Sequence, residues 1–169
     1  MGRHLAGSGR RLVYGGGRTG LMGALAEGAL GAGGEVVGIM PKHLVDREVA
    51  HTGLTQLHVV GSMHERKALL AELSDGFLAM PGGLGTMEEL FETWTWGQLG
   101  LHRKPYGLLE VHGFFAPLLG FLDHAVREGF ISSTNRALLV VDGDPARLIE
   151  RMEDVEIPRT ARWMTREET

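Results

Sequence analysis

Short apolar runs alternate with longer segments of mixed polarity along most of the chain. The longer segments place apolar residues at helical spacing, most clearly over 114–128, which ends at Gly129. This alternation predicts an α/β fold, in which a doubly wound parallel sheet is connected by right-handed crossovers. The runs that predict strands lie at 11–14, 35–40, 54–60, 76–80, 106–111 and 137–141.

Glycine-rich turns follow two of these predicted strands. One spans 15–17 and, with Gly20, has the spacing G-x-G-x-x-G; the other spans 81–85. Ligands of parallel sheets bind beyond the carboxyl ends of the strands, and bare glycine backbone at a helix N-terminus can hold a phosphate. The alternatives are a turn that only packs a helix on a strand and, for the second turn, a capping box from Thr86 to Glu89.

A dinucleotide site is disfavoured by the second predicted strand. An acidic residue at its end would hold the ribose of NAD, but the strand over 35–40 ends at Pro41. NAD binding is therefore disfavoured.

Arg66 lies in the first turn of a helix predicted from Ser62 to Ser74, where Ser62 and Glu65 have capping-box spacing. A cation there opposes the helix macrodipole, and such a local mismatch indicates a functional residue. The alternative is an arginine that extends into solvent.

Composition narrows the class of protein. A hydrophobic content of 43% with 22% charged residues is typical of a soluble globular domain, and a net charge of -4 gives no basic surface for nucleic acid. No apolar run approaches the roughly 20 residues that span a bilayer. The lack of cysteine excludes disulfides and thiolate sites and fits a reducing cytoplasm. The histidines have no metal-ligand spacing, and no G-x-S-x-G motif indicates a serine hydrolase.

The sequence 81–89, Pro-Gly-Gly-Leu-Gly-Thr-Met-Glu-Glu, matches the pattern P-G-G-x-G-T-x-x-E. Together with Val-Tyr-Gly-Gly-Gly at 13–17, Ser-Met-His-Glu-Arg-Lys at 62–67 and Trp-Gly-Gln-Leu-Gly at 96–100, it resembles the LONELY GUY (LOG) family. These proteins are cytokinin riboside 5′-monophosphate phosphoribohydrolases with a Rossmann-like fold. The resemblance covers nearly the whole chain. Some relatives carry a lysine decarboxylase label, which we reject because none of the three lysines lies in a cofactor motif.

The resemblance implies hydrolysis of the N-glycosidic bond of an adenine-type nucleoside 5′-monophosphate, without a cofactor or metal. The preferred base, prenylated adenine or the adenine of AMP, stays open. The family's catalytic pair corresponds to Arg66 and Glu89. The alternative function is a nucleotide or molybdenum-cofactor carrier on the same fold, which would not need that pair. The expected substrate- and phosphate-binding residues are Gly16, Gly17, Met63, Lys67, Gly82, Gly83, Gly85 and Thr86.

The resemblance also concerns the organisation of the chain. We expect one domain over 1–152, a polar tail over 153–169, and a homodimer with the Trp96 helix near its interface. Trp94 and Trp96 lie on different faces of that helix, so only one can face the sheet.

Relatives begin with a further strand and a Gly-Ser-Ser type loop before a helix whose end resembles 1–6. The first strand is therefore expected to be missing from the interior of the sheet, which would expose an apolar edge.

Overall fold

The computed structural model describes residues 1–47 and 50–158. It confirms the α/β class, and every strand pairing within its two sheets is parallel. The elements, in chain order, are α1 Gly2–Gly7, β1 Leu12–Tyr14, α2 Gly20–Leu30, β2 Val36–Pro41, α3 Lys42–Val45, β3 Gln56–Val60, α4 Met63–Leu73, β4 Phe77–Ala79, α5 Leu84–Gln98, β5 Tyr106–Leu109, α6 Ala116–Arg127, α7 Ser133–Ala137, β6 Leu139–Asp142 and α8 Pro145–Asp154.

The chain divides into two compact units, Met1–Ser74 and Asp75–Thr169. Each unit contains a three-stranded parallel sheet, with the order β1-β2-β3 in the first and β4-β5-β6 in the second. No helix among the described residues is long and apolar enough to cross a membrane.

In the first unit, β2 is the central strand and all six of its residues are buried. Its register pairs Leu12 with Val36 on one side and Val37 with Gln56 on the other. Helices α2 and α4 pack on this sheet. A parallel central strand is buried on both faces, which explains why the sequence of β2 is continuously apolar.

In the second unit, β5 is the central strand and is buried along its whole length. Its Tyr106 and Leu108 pack with Phe115, Leu122 and Trp94 in the main apolar core of that unit. This core brings α5 and α6 against the sheet. Trp94 therefore is the core tryptophan of α5, whereas Trp96 is half-buried.

A charged cluster connects β6 to α8. Asp142 accepts hydrogen bonds from Arg147 Nε at 3.1 Å, Arg147 Nη2 at 2.7 Å, Arg151 Nη1 at 3.2 Å and the Asp144 backbone N–H at 2.9 Å. Together these donors hold the pKa of Asp142 well below its ordinary value, and the Arg147 side chain has the largest effect. The resulting stability is present above the unfolded-state pKa of Asp142 and is lost as the pH falls through its folded-state pKa.

The predicted doubly wound parallel sheet, expected to lack one interior strand, is found as two three-stranded parallel sheets, and β1 and β4 each stand at an end of their strand order. Helix α7 was missed, because five residues are too short to show helical periodicity in the sequence. The N-caps predicted at Ser62 and Asp144 are confirmed.

The predicted domain boundaries remain untested. Helix α8 continues to Asp154, two residues beyond the predicted end at 152. The rest of the predicted tail, from 159 to 169, lies outside the described residues. One domain over 1–152 and a tail over 153–169 thus stay predictions.

The core of the second unit gives a prediction for stability. Leu122 is 0% exposed, whereas its neighbour Phe121 is 61% exposed. We expect Leu122→Ala to lower the free energy of unfolding by about 2–5 kcal/mol, because it leaves a cavity in a packed core. The matched control Phe121→Ala should cost less than about 1 kcal/mol. Urea unfolding followed by tryptophan fluorescence measures both, and equal losses would contradict the assignment of this core.

Candidate functional site

The glycine turn after β1 is fixed on the first sheet by its own carbonyl groups. Gly16 has a φ of 77°, in the region that favours glycine, and its carbonyl accepts a hydrogen bond from the His51 N–H at 2.8 Å. The Tyr14 hydroxyl donates to the Gly17 carbonyl at 3.1 Å. A Cβ on Gly17 would lie 2.8 Å from Met22 Cε. The turn is therefore rigidly placed at the carboxyl end of β1.

Helix α4 begins immediately after β3 and has the predicted cap. Ser62 Oγ accepts from the Glu65 N–H at 3.1 Å, and Glu65 Oε2 accepts from the Gly61 N–H at 2.6 Å. The carboxylate therefore reaches one residue beyond the position expected in a capping box. This cap places Arg66 in the first turn of α4.

Arg66 turns back onto the sheet instead of extending into solvent. Its Nε donates to the Ile39 carbonyl at 3.2 Å, and the residue is half-buried. The guanidinium also lies against Gly15, where a Cβ would overlap Nη2. The alternative of a solvent-extended arginine is therefore wrong. The structure brings Arg66 to the turn at 15–17, within the same unit.

The other predicted binding residues of α4 flank Arg66. Met63 is the first residue of the helix and is 39% exposed, and Lys67 is half-buried. Near the start of α2, Leu21 and Met22 are 60% and 46% exposed. Sequence reasoning did not single out Leu21 and Met22 as surface residues, because leucine and methionine in a helix ordinarily indicate core positions.

In the second unit, β4 leads through the second glycine turn into α5. The helix begins at Leu84 with Gly83 as N-cap, and no side chain caps it. The alternative of a capping box from Thr86 to Glu89 is therefore wrong, since Thr86 is the third residue of the helix. Glu89 stands six positions after Gly83, beyond the spacing of a capping box.

The glycines of this turn have different surroundings. A Cβ on Gly82 would overlap the Thr86 hydroxyl and lie 2.9 Å from Thr86 Cβ, so glycine is needed there for Thr86 to pack. A Cβ on Gly83 or Gly85 would meet nothing within 4 Å. The backbone at these two positions is consequently open, and Leu84 between them is 90% exposed.

This geometry suits an anion. The first N–H groups of a helix have no intrahelical acceptor, and the first backbone bond of α5 runs from the Met87 N–H to the Gly83 carbonyl. The earlier N–H groups and the helix macrodipole therefore favour negative charge at this end. Glu89, further along α5, is half-buried, whereas its neighbour Glu88 is exposed.

No group of three histidine, aspartate or glutamate residues within the described ranges could hold a metal ion. The arrangement in both units is thus one of glycine turns and charged side chains at the carboxyl ends of parallel strands. This fold defines a parallel α/β protein whose glycine turns lie where such sheets place their ligands.

Comparison with known proteins identifies the family. The family described as "Possible lysine decarboxylase" matches residues 22–152. The chain is 54% identical over 145 residues to the cytokinin riboside 5′-monophosphate phosphoribohydrolase of Rhodococcoides fascians, covering 85% of this chain and 73% of that protein. The protein of the same name from Arabidopsis thaliana is 47% identical, and the match covers 88% of this chain and 69% of that protein. The one from Oryza sativa subsp. japonica is 45% identical, and the match covers 91% of this chain and 64% of that protein. The chain belongs to this phosphoribohydrolase family, the LOG family.

A solved structure is similar in fold. The molybdenum cofactor binding protein from the phototrophic bacterium Rippkaea orientalis has a TM-score of 0.65 at 23% identity, covering 90% of this chain and 81% of that one. At this identity the similarity shows the fold alone.

Tyr14, which donates to the Gly17 carbonyl, gives a prediction about tyrosine ionisation. Burial raises the pKa of Tyr14 to about 12 and also raises the pKa of Tyr106 well above its ordinary value. Since these are the 2 tyrosines of the chain, the folded protein should show almost no tyrosinate absorbance near pH 10. The unfolded chain ionises first, so stability should fall as the pH rises from about 10 towards 12.

Absorbance at 295 nm, with circular dichroism to confirm folding, measures this titration. Tyr14→Phe is the matched variant and should remove the transition near pH 12. An ionisation midpoint at pH 10 in the folded protein would contradict the buried placement of both rings.

Proposed function

We propose that this protein hydrolyses the N-glycosidic bond of cytokinin riboside 5′-monophosphates, giving the free base and ribose 5-phosphate. The observation that carries the proposal is the 54% identity to the Rhodococcoides fascians enzyme over 85% of this chain. The open N-terminal end of α5 supports it, because a helix N-terminus favours an anion such as a 5′-phosphate. AMP is the second substrate to be tested.

The 5′-phosphate is proposed to bind at the start of α5. The open backbone at Gly83 and Gly85 lets an anion approach the first N–H groups, and the Thr86 hydroxyl is positioned beside Gly82. In the first unit, Gly16, Gly17, Met63 and Lys67 are proposed as substrate-binding residues on the family resemblance. Lys67 carries the positive charge that favours binding of an anionic substrate.

Glu89 is proposed to act at the sugar. Its carboxylate would hold the ribose hydroxyls, stabilise the positive charge of an oxocarbenium-like transition state, and orient or deprotonate the attacking water. The water oxygen forms a bond to C1′ while the bond from C1′ to the base breaks. The electron pair of that bond leaves with the base, which then gains a proton.

Arg66 is proposed to stabilise negative charge that develops on the departing base, or to anchor the nucleotide. Its pKa is too high for a general base. Its hydrogen bond to the Ile39 carbonyl holds the guanidinium before substrate arrives. Preorganised charge of this kind contributes more to catalysis than a mobile side chain does.

The competing function is a nucleotide or molybdenum-cofactor carrier on the same fold. A carrier needs the glycine turns but not a glutamate and an arginine suited to catalysis, so the presence of Glu89 and Arg66 favours the enzyme. A homodimer is a further proposal that rests on the family. A cytoplasmic location is another, and it rests on the lack of cysteine.

Substitution of the proposed catalytic pair tests the function. The parent should release free base from isopentenyladenosine 5′-monophosphate. Glu89→Gln removes the charge at the sugar and should lower kcat by roughly 10²–10⁴-fold, and Arg66→Ala should lower it by roughly 10²-fold or more. Chromatography of the free base measures each rate.

Glu88→Gln is the matched control for Glu89→Gln, since Glu88 is the adjacent, exposed glutamate of the same helix. It should keep kcat within about threefold of the parent, as an exposed side chain makes little contribution. Equal losses for the two glutamate variants would contradict the role of Glu89. A folded parent that binds nucleotide without releasing base would favour a carrier.

A further inference from the structure

Gly15 is not required by its backbone conformation. In the turn after β1, Gly16 and Gly20 have φ values of 77° and 61°, where side chains are strained, but Gly15 is not among the residues with positive φ. The φ of position 15 therefore does not exclude a side chain. Another constraint must explain the first glycine of the G-x-G-x-x-G pattern.

That constraint is the Arg66 guanidinium. A Cβ on Gly15 would overlap Arg66 Nη2 and would lie 3.2 Å from Cζ and 3.6 Å from Nε. The same Nε donates to the Ile39 carbonyl at 3.2 Å. The guanidinium is thus held on the first sheet by a carbonyl of β2 while it rests against the bare Cα of Gly15.

Gly15 therefore differs from the glycines at the start of α5. Beside Gly83 and Gly85 the space is open, as expected where a ligand approaches the backbone. At Gly15 the corresponding space is filled by a side chain of the protein itself. A direct contact between phosphate and Gly15 does not explain this arrangement, whereas space for an arginine does.

We propose that Gly15 is a positioning residue that sets the place of Arg66 by leaving room for its guanidinium. The catalytic consequence rests on the proposed function, but the placement of Arg66 does not. A methyl group at position 15 would displace the end of the arginine side chain and break its hydrogen bond to Ile39. The arginine is flexible, so the fold should survive while the guanidinium loses its fixed position.

The first experiment observes Arg66 directly, without substrate. In ¹⁵N NMR spectra of the full chain, the Arg66 Nε–H signal is identified by its loss in Arg66→Ala. We expect Gly15→Ala to shift this signal or to accelerate its exchange with water by roughly tenfold or more, because the bond to Ile39 is lost. An unchanged signal and exchange rate in Gly15→Ala would overturn the proposal.

Gly28→Ala is the matched control in the same unit. A Cβ on Gly28 would meet its nearest atom at 3.7 Å, which is an ordinary contact. It should leave the Arg66 signal unchanged. A change as large as that in Gly15→Ala would show a general response to alanine and would overturn the specific role of Gly15.

The second experiment is a double-mutant cycle on hydrolysis. Gly15→Ala should lower kcat by roughly 10²-fold, as expected for a displaced catalytic group, and leave the Kd for ribose 5-phosphate within about twofold. In the Arg66→Ala background, the same substitution should lower kcat no further. Equal losses in both backgrounds, or weaker ribose 5-phosphate binding that accounts for the loss, would overturn the proposal.

The experiments also separate the two proposals. If the parent does not hydrolyse nucleotides, the proposed function fails, and the NMR measurement still decides the role of Gly15. If Gly15→Ala does not fold, recovery of folding in the Gly15→Ala/Arg66→Ala double variant supports the steric contact. Failure of the double variant to fold, when Arg66→Ala alone folds, overturns it.

Discussion

Parallel pairing along a fully buried central strand is the constraint on which each unit depends. Strands β2 and β5 are buried along their whole lengths, so helices must cover both faces of each sheet. Crossovers between parallel strands also bring the turns that follow them to one edge of their own sheet. The turn at 15–17 and the start of α4 share such an edge in the first unit. The strand pairing thus places the proposed binding residues of the first unit at one edge of its sheet.

Much of this organisation follows from the sequence, because buried parallel strands are continuously apolar and helix caps have characteristic residues. The caps at Ser62 and Asp144 were predictable for that reason. The start of α5 was not, since capping-box spacing also occurs by chance inside a helix and Gly83 gives no side-chain signal. The strand order within each sheet was likewise hidden, because pairing partners leave no local pattern.

The glycine motifs show a further limit of sequence reasoning. Gly16 is needed for a positive φ and Gly82 for the packing of Thr86, whereas a Cβ on Gly83 would meet nothing within 4 Å. A sequence motif does not distinguish these cases, because each position is written only as a glycine. The hydrogen bond from Arg66 to the Ile39 carbonyl was also beyond prediction, since a main-chain acceptor has no residue type.

The proposed hydrolysis breaks the bond between the base and C1′ and leaves the phosphate on the sugar. Complete product analysis after incubation of the full chain with isopentenyladenosine 5′-monophosphate distinguishes this cleavage from removal of the phosphate. We expect free base and ribose 5-phosphate in equal amounts, without nucleoside or inorganic phosphate. Nucleoside with inorganic phosphate, or unchanged nucleotide after incubation with folded protein, would contradict it.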